Sequence, residues 1–367
     1  LFLMKQIILK LFSYFLFKLE ISENFLSQMK VKGWLGNFLD ISCRGLSWRI
    51  MLNYFENEVE VKKWKVILNQ KEEKFEELKK VYLFDIKNVT VDPLLDHNET
   101  GHWAKYYKDL ELVSFIKGDL ERLYMNGIED EYFKNERRQG MLLNILFLWA
   151  SLHPKTSYRQ GMHEIVAPIL YVLEQEREQW NIEIDDSELE NVSHSFNSET
   201  EKQEFITIIN ELSDEMYQND SQLESSVYWL FDLIMNELEP LYSPVTGADE
   251  QPAIVHYCTK IQEHMLRGLD PQLCTHLEEN FVQAQLYGMK WSRLLLGREF
   301  ELNDKSLLRI WDYMFACVLD ARMIKMSSIN KNHVSHAHTS LKKHHSSQKD
   351  LKINNNSNNN QNSSNST

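Results

Sequence analysis

The chain has 367 residues, a formal net charge of −14 and 43% apolar residues, enough to bury a large core. Its acidic balance excludes nucleic acid as a partner, because phosphate binding needs a positive face. Seven prolines and twelve glycines favour long helices over a many-turned β fold, and four scattered cysteines without a C-x-x-C pair fit a reducing, cytoplasmic setting rather than a disulfide framework.

Residues 1–33 read as an apolar leader interrupted by Lys5, Lys10 and Lys18. Its longest uncharged apolar stretch, from Leu11 to Phe17, is too short to span a bilayer, so any membrane association is peripheral. Helices are expected over 34–82, where Trp48, Met51, Leu52 and Phe55 recur at helical spacing. Residues 89–101 form a loop around Pro93, and the helical pattern returns from Trp103 to Met125. The stretch from Met141 to Leu152 is apolar on nearly every side, the mark of a helix buried all round. Ser157 is expected to start the next helix, which carries Met162, Ile165, Val166, Ile169, Leu170 and Leu173 on its apolar face.

Between Glu174 and Glu224, sixteen acidic residues stand against two basic ones, which accounts for the formal charge of the whole chain. That block, 174–224, reads as a solvated insertion. Helical periodicity resumes at 205–216 and 227–241, then at 254–266, 273–296 and 307–319. Residues 321–367, rich in His, Lys, Ser and Asn, are expected to be a disordered tail. The fold class is all-α.

Three short patterns carry candidate chemistry. Arg44 lies one turn before Trp48, a spacing at which an arginine packs or stacks on the indole. Ile116-x-x-Asp119-x-x-Arg122 puts Asp119 and Arg122 on one helix face, which by itself describes a surface ion pair. Tyr158-Arg159-Gln160-Gly161-Met162 follows a proline-bearing loop. Ser157 and Gln160 there match a capping box. A glutamine at an exposed helix start, with Gly161 beside it to let another backbone approach, equally suits presentation to a partner. His256, Cys258, His264, Cys274 and His276 fall in one window, but residues two apart on a helix point different ways, so no metal site is expected. There is no G-x-x-x-x-G-K-[ST] loop with which the chain would itself bind GTP.

Taken in order, these three patterns resemble the signature motifs of the TBC family of Rab GTPase activators. Two later runs, from Tyr287 through Trp291 to Arg298-Glu299-Phe300 and from Leu308 to Trp311-Asp312, look like that family's later helices. The resemblance implies a two-lobed helical Rab-GAP TBC domain over residues 34–320, its C-terminal lobe truncated where the polar tail takes over. It implies that Arg122 is a catalytic arginine and Gln160 a catalytic glutamine, both acting in trans on the GTP of a Rab-family partner, which brings its own Mg²⁺. The chain then needs no cofactor of its own. Asp119 would hold Arg122 extended, Tyr158 and Gly161 would support the glutamine, and Arg44 and Trp48 would fix the first helix. The spacing is most similar to a subgroup associated with endosomal and autophagic membranes and with the retromer coat. In that subgroup a Pro-Leu pair in the loop before the arginine helix touches retromer, and Pro93 and Leu94 occupy the corresponding loop here.

Overall fold

The structure is a computed structural model that describes residues 21–36, 43–83, 102–180, 198–244, 251–326 and 328. Among them the regular elements are all helical, as expected. The molecule divides into a large unit, residues 1–316, and a small one, residues 317–367, whose described residues are helical.

In chain order the first helices are α1 (Glu23–Trp34), α2 (Arg44–Met51), α3 (Trp64–Tyr82) and α4 (His102–Glu121). They are followed by α5 (Asp130–Lys134), α6 (Glu136–Leu152), α7 (Met162–Trp180), α8 (Glu199–Tyr217) and α9 (Asp220–Tyr242). Helix α9 is the hub: it packs against α3, α6, α7 and α8. Its start is set by Asn219 and Gln222, each side chain accepting from or reaching back to the other's backbone N–H. Helix α6 is buried on most sides from Met141 to Ala150, as its continuous apolar run predicts, and α7 is buried without interruption from Met162 to Leu170. Helix α10 (Ala253–Lys260) runs through a π turn at Ile261–Leu266, and α11 (Pro271–Glu279), α12 (Ala284–Arg293) and α13 (306–326) follow.

Several boundaries differ from expectation. Helix α1 lies within the expected leader, yet Ser22 caps it and Phe25 and Met29 are buried, so the fold begins before residue 34. The single helix expected over 273–296 breaks at 280–283, where Phe281 takes a positive φ of 56°. Helix α13 continues to 326, past the point at which the tail was expected to start. The solvated acidic insertion is corrected at both ends. Glu174 is buried and accepts from Tyr132 Oη, Arg137 Nη1 and Arg138 Nε at 2.5–2.6 Å. Glu224 is buried between Lys79 Nζ and Asn144 Nδ2, each at 2.8 Å. A carboxylate with this many donors tolerates burial, and composition alone does not reveal the donors. Residues 181–197 lie outside the described residues.

Every residue of α2 is buried, arginines included. Arg44 and Trp48 meet at one acceptor: Arg44 Nε and Trp48 Nε1 both donate to the buried Asp312 carboxylate, at 3.2 and 2.7 Å. At the start of the same helix the Glu176 carboxyl accepts from the N–H groups of Gly45 and Leu46, where a helix exposes its unsatisfied donors. Tyr217 donates to Glu176 at 2.7 Å and accepts from Arg49 at 2.9 Å. Gly45 is required here, because a Cβ would collide with Leu173 and Glu176 of α7.

This buried network makes stability depend on pH in an unusual direction. Burial pushes the Glu176 carboxyl up to about 7 against the pull of Arg49, and that of Asp312 up to about 6 against the pull of Arg44. In the unfolded chain both ionise near about 4. Between those limits the folded state holds protons that the unfolded state has released, so their contribution to stability falls as pH rises. Glu176→Gln is therefore expected to flatten the loss of stability between about pH 5 and pH 7, by up to about 1.4 kcal/mol per pH unit. Urea denaturation across that range checks it; equal slopes for both proteins would remove Glu176 as the cause.

Candidate functional site

Asp119 is in the last turn of α4 and Arg122 directly follows that helix. Asp119 is 1% exposed, whereas 70% of the Arg122 side chain is open to solvent. Arg122 Nη2 donates to Asp119 Oδ1 at 2.8 Å. A buried carboxylate thus grips one edge of the guanidinium and leaves the rest facing outward, more than the exposed i,i+3 pair that the spacing alone describes.

Gln160 comes from the loop between α6 and α7. The expected capping box does not form: Ser157 has a φ of 52° and α7 begins only at Met162. The loop is held instead by Ser157 N–H donating to the His153 carbonyl at 2.7 Å and by Thr156 Oγ1 donating to Glu239 at 2.7 Å. Along it Tyr158 is buried, Arg159 and Gln160 are exposed, and Gly161 is buried again. That alternation pushes the Gln160 amide outward.

Gly161 has a different task from the one expected. It does not open space for another molecule, because it faces inward. Its φ is 106°, and a Cβ there would sit 2.7 Å from Leu294 Cδ2. Gly161→Ala combines left-handed backbone strain with a clash and is expected to cost about 1–3 kcal/mol. It would also displace Gln160. A thermal melt tests the first effect, and a melting temperature equal to wild type would show that the turn tolerates a side chain.

Tyr158 ties the two halves together. Its hydroxyl lies 2.8 Å from Asp119 Oδ2 and 2.8 Å from His163 Nδ1, and its ring meets Phe115 edge-on. Burial, then the hydrogen bond to Asp119, raises the phenol well above its ordinary range, so it stays protonated. Beyond His163, the buried Glu164 is clasped by Arg298 through two hydrogen bonds. Arg122 and Gln160, expected to lie together, line one groove of about 430 Å³ with Asp119, His163, Glu164, Lys290 and Arg298. Asp119, Tyr158 and Gly161 support this groove, while Arg44 and Trp48 lie in the buried network of α2. Pro93 and Leu94 lie outside the described residues. His163 and Glu164 carry no signal of their own in the sequence beyond their place after Gln160-Gly161-Met162.

Chemically, the groove offers a braced cation and an outward amide. Such a pair stabilises negative charge and directs a polar molecule on something brought to it. The sequence matches the family described as Rab-GTPase-TBC domain over residues 42–329. The chain belongs to that family. TBC1 domain family member 5 of Homo sapiens is 27% identical over 325 residues, covering 82% of this chain and 37% of the human protein. GTPase-activating protein gyp1 of Schizosaccharomyces pombe is 27% identical over 184 residues, 50% of this chain and 30% of that protein. The crystal structure of the Ypt/Rab-GAP domain of Gyp1p superposes with a TM-score of 0.54 at 18% identity, covering 82% of this chain and 75% of that one, and so shares the fold. The TBC chain therefore spans well under half the length of these curated relatives. Among the described residues of this TBC protein, no helix is long and apolar enough to cross a membrane, and no group of three or more His, Cys, Asp or Glu side chains is placed to hold a metal ion.

Proposed function

We propose that this TBC domain stimulates GTP hydrolysis by a Rab-family small GTPase, acting in trans with Arg122 and Gln160. The observation that carries this reading is that both side chains are exposed on one groove while the carboxylate gripping Arg122 is buried. A small GTPase hydrolyses GTP slowly because little stabilises the charge spread over the transferring phosphoryl group. Arg122 supplies a permanent cation there. Gln160 orients the attacking water, and the nucleotide and its Mg²⁺ arrive with the partner. The domain is an activator of its partner's reaction, not the site of a reaction of its own.

The resemblance extends the proposal to endosomal or autophagic membranes, with Pro93 and Leu94 contacting retromer. The test is single-turnover GTP hydrolysis by a panel of purified Rab proteins, with and without the domain. Stimulation of at least one Rab that is lost in both Arg122→Ala and Gln160→Ala supports the reading. Stimulation that survives in both variants excludes it. Binding of a Rab or retromer without any stimulation would leave a helical adaptor instead.

A further inference from the structure

The hydroxyl of Tyr158 has one proton and two neighbours able to take it, Asp119 Oδ2 and His163 Nδ1. Which one receives it depends on His163. His163 is 4% exposed. Burial lowers its proton affinity, Glu164 and Asp119 oppose that, and Arg298 and Arg122 reinforce it, so it is neutral and carries a single N–H. On Nε2 the proton would face Glu164 Oε1 at 3.8 Å, beyond hydrogen-bond reach, and both oxygens of Glu164 already accept from Arg298. On Nδ1 it donates to the Tyr158 oxygen at 2.8 Å. Tyr158 then donates to Asp119 Oδ2, and Asp119 Oδ1 accepts from Arg122. This direction gives a partner to the Nδ1–H, to the Tyr158 hydroxyl and to both oxygens of Asp119, and each bond polarises the next.

We infer that His163 is a positioning residue for Arg122: its Nδ1–H turns the Tyr158 hydroxyl toward Asp119, keeping both oxygens of that carboxylate as acceptors and the guanidinium in its outward pose. The inference rests on the proposed role of Arg122. Without the Nδ1 donor, the Tyr158 oxygen loses the bond that fixes it from the side opposite Asp119, and the phenol can shift against the carboxylate. The carboxylate then rotates, and Arg122 with it. His163 itself never touches the partner's nucleotide.

The experiment measures kcat and KM for a GTP-loaded Rab that the wild-type domain stimulates, together with the melting temperature of each variant. His163→Leu is expected to lower kcat about tenfold, the scale of a small misplacement of a catalytic group, with KM changed less than about twofold. His163→Asn, whose amide N–H falls near the Nδ1 position, is expected to stay within about threefold of wild type. Tyr158→Phe breaks the same chain, so Tyr158→Phe with His163→Leu is expected to be no worse than either single variant. An unchanged kcat in His163→Leu, while Arg122→Ala abolishes stimulation, overturns the inference and leaves the role of Arg122 standing. Equal losses in His163→Leu and His163→Asn that track their melting temperatures also overturn it, since packing alone would then explain them. Should His163→Leu fail to fold, Tyr158→Phe decides: a wild-type kcat overturns the inference and a tenfold loss supports it. If Arg122→Ala itself stimulates like wild type, the underlying reading is the one that fails.

Discussion

Arg122→Ala is expected to lower the stimulated rate of GTP hydrolysis by a factor of about 10³–10⁵, or roughly 4–7 kcal/mol of barrier. Its effect on folding is expected to be far smaller. The side chain is 70% exposed, and the Asp119 carboxylate keeps its bond from Tyr158 when the arginine is gone. Arg122→Lys is expected to recover little. An ammonium is a single point charge, whereas the guanidinium gives one nitrogen to Asp119 and presents the others outward. Gln160→Ala removes a group that acts on the water rather than on the phosphoryl charge. Its expected loss is about 10²-fold, the scale of deleting one hydrogen-bonding group used in the transition state. Single-turnover hydrolysis with saturating domain measures each, and a melt confirms that the variants are folded. An Arg122→Ala rate within about threefold of wild type would take the arginine out of the mechanism.

The helical class and the pairing of Arg122 with Gln160 were legible because both rest on local pattern. A continuous apolar run marks α6, apolar periodicity marks α7, and the three motifs carry a resemblance that covers most of the chain. What was not legible depends on groups distant in sequence. Ser157 and Gln160 satisfy a capping pattern, yet Tyr158 has a better partner in Asp119, far back along the chain, and the loop bends to reach it. Ser157 consequently has a positive φ and the helix starts later. The same holds for Gly161, whose neighbour Leu294 belongs to another part of the fold. An acidic run looks like a solvated face until Arg137, Arg138, Lys79 and Asn144 are seen to converge on Glu174 and Glu224. Charge patterning reports the charges of one segment and not the donors that another segment brings to it.

Asp312 shows how much such a distant partner is worth. Arg44 and Trp48 form a sequence pattern, but the group that explains them is a carboxylate 268 and 264 residues further on. All three are fully buried. Asp312→Ala removes the buried carboxylate that accepts from the Arg44 Nε–H and the Trp48 Nε1–H. The expected cost is about 3–5 kcal/mol, read from urea denaturation as a lower midpoint with an unchanged slope. Asp312→Asn keeps an acceptor for the Trp48 N–H and loses only the charge opposite Arg44, so it should fall between. The pair Arg44→Met with Asp312→Leu removes both charges together and is expected to recover most of the loss, because apolar groups of similar volume need no compensation for lost water. A single Asp312→Ala loss below about 1 kcal/mol would mean that water or another group reaches Arg44 and that the carboxylate does not hold α2. The double variant also separates folding from function. Arg44, Trp48 and Asp312 do not line the groove of Arg122 and Gln160, so a refolded double variant should stimulate hydrolysis as wild type does.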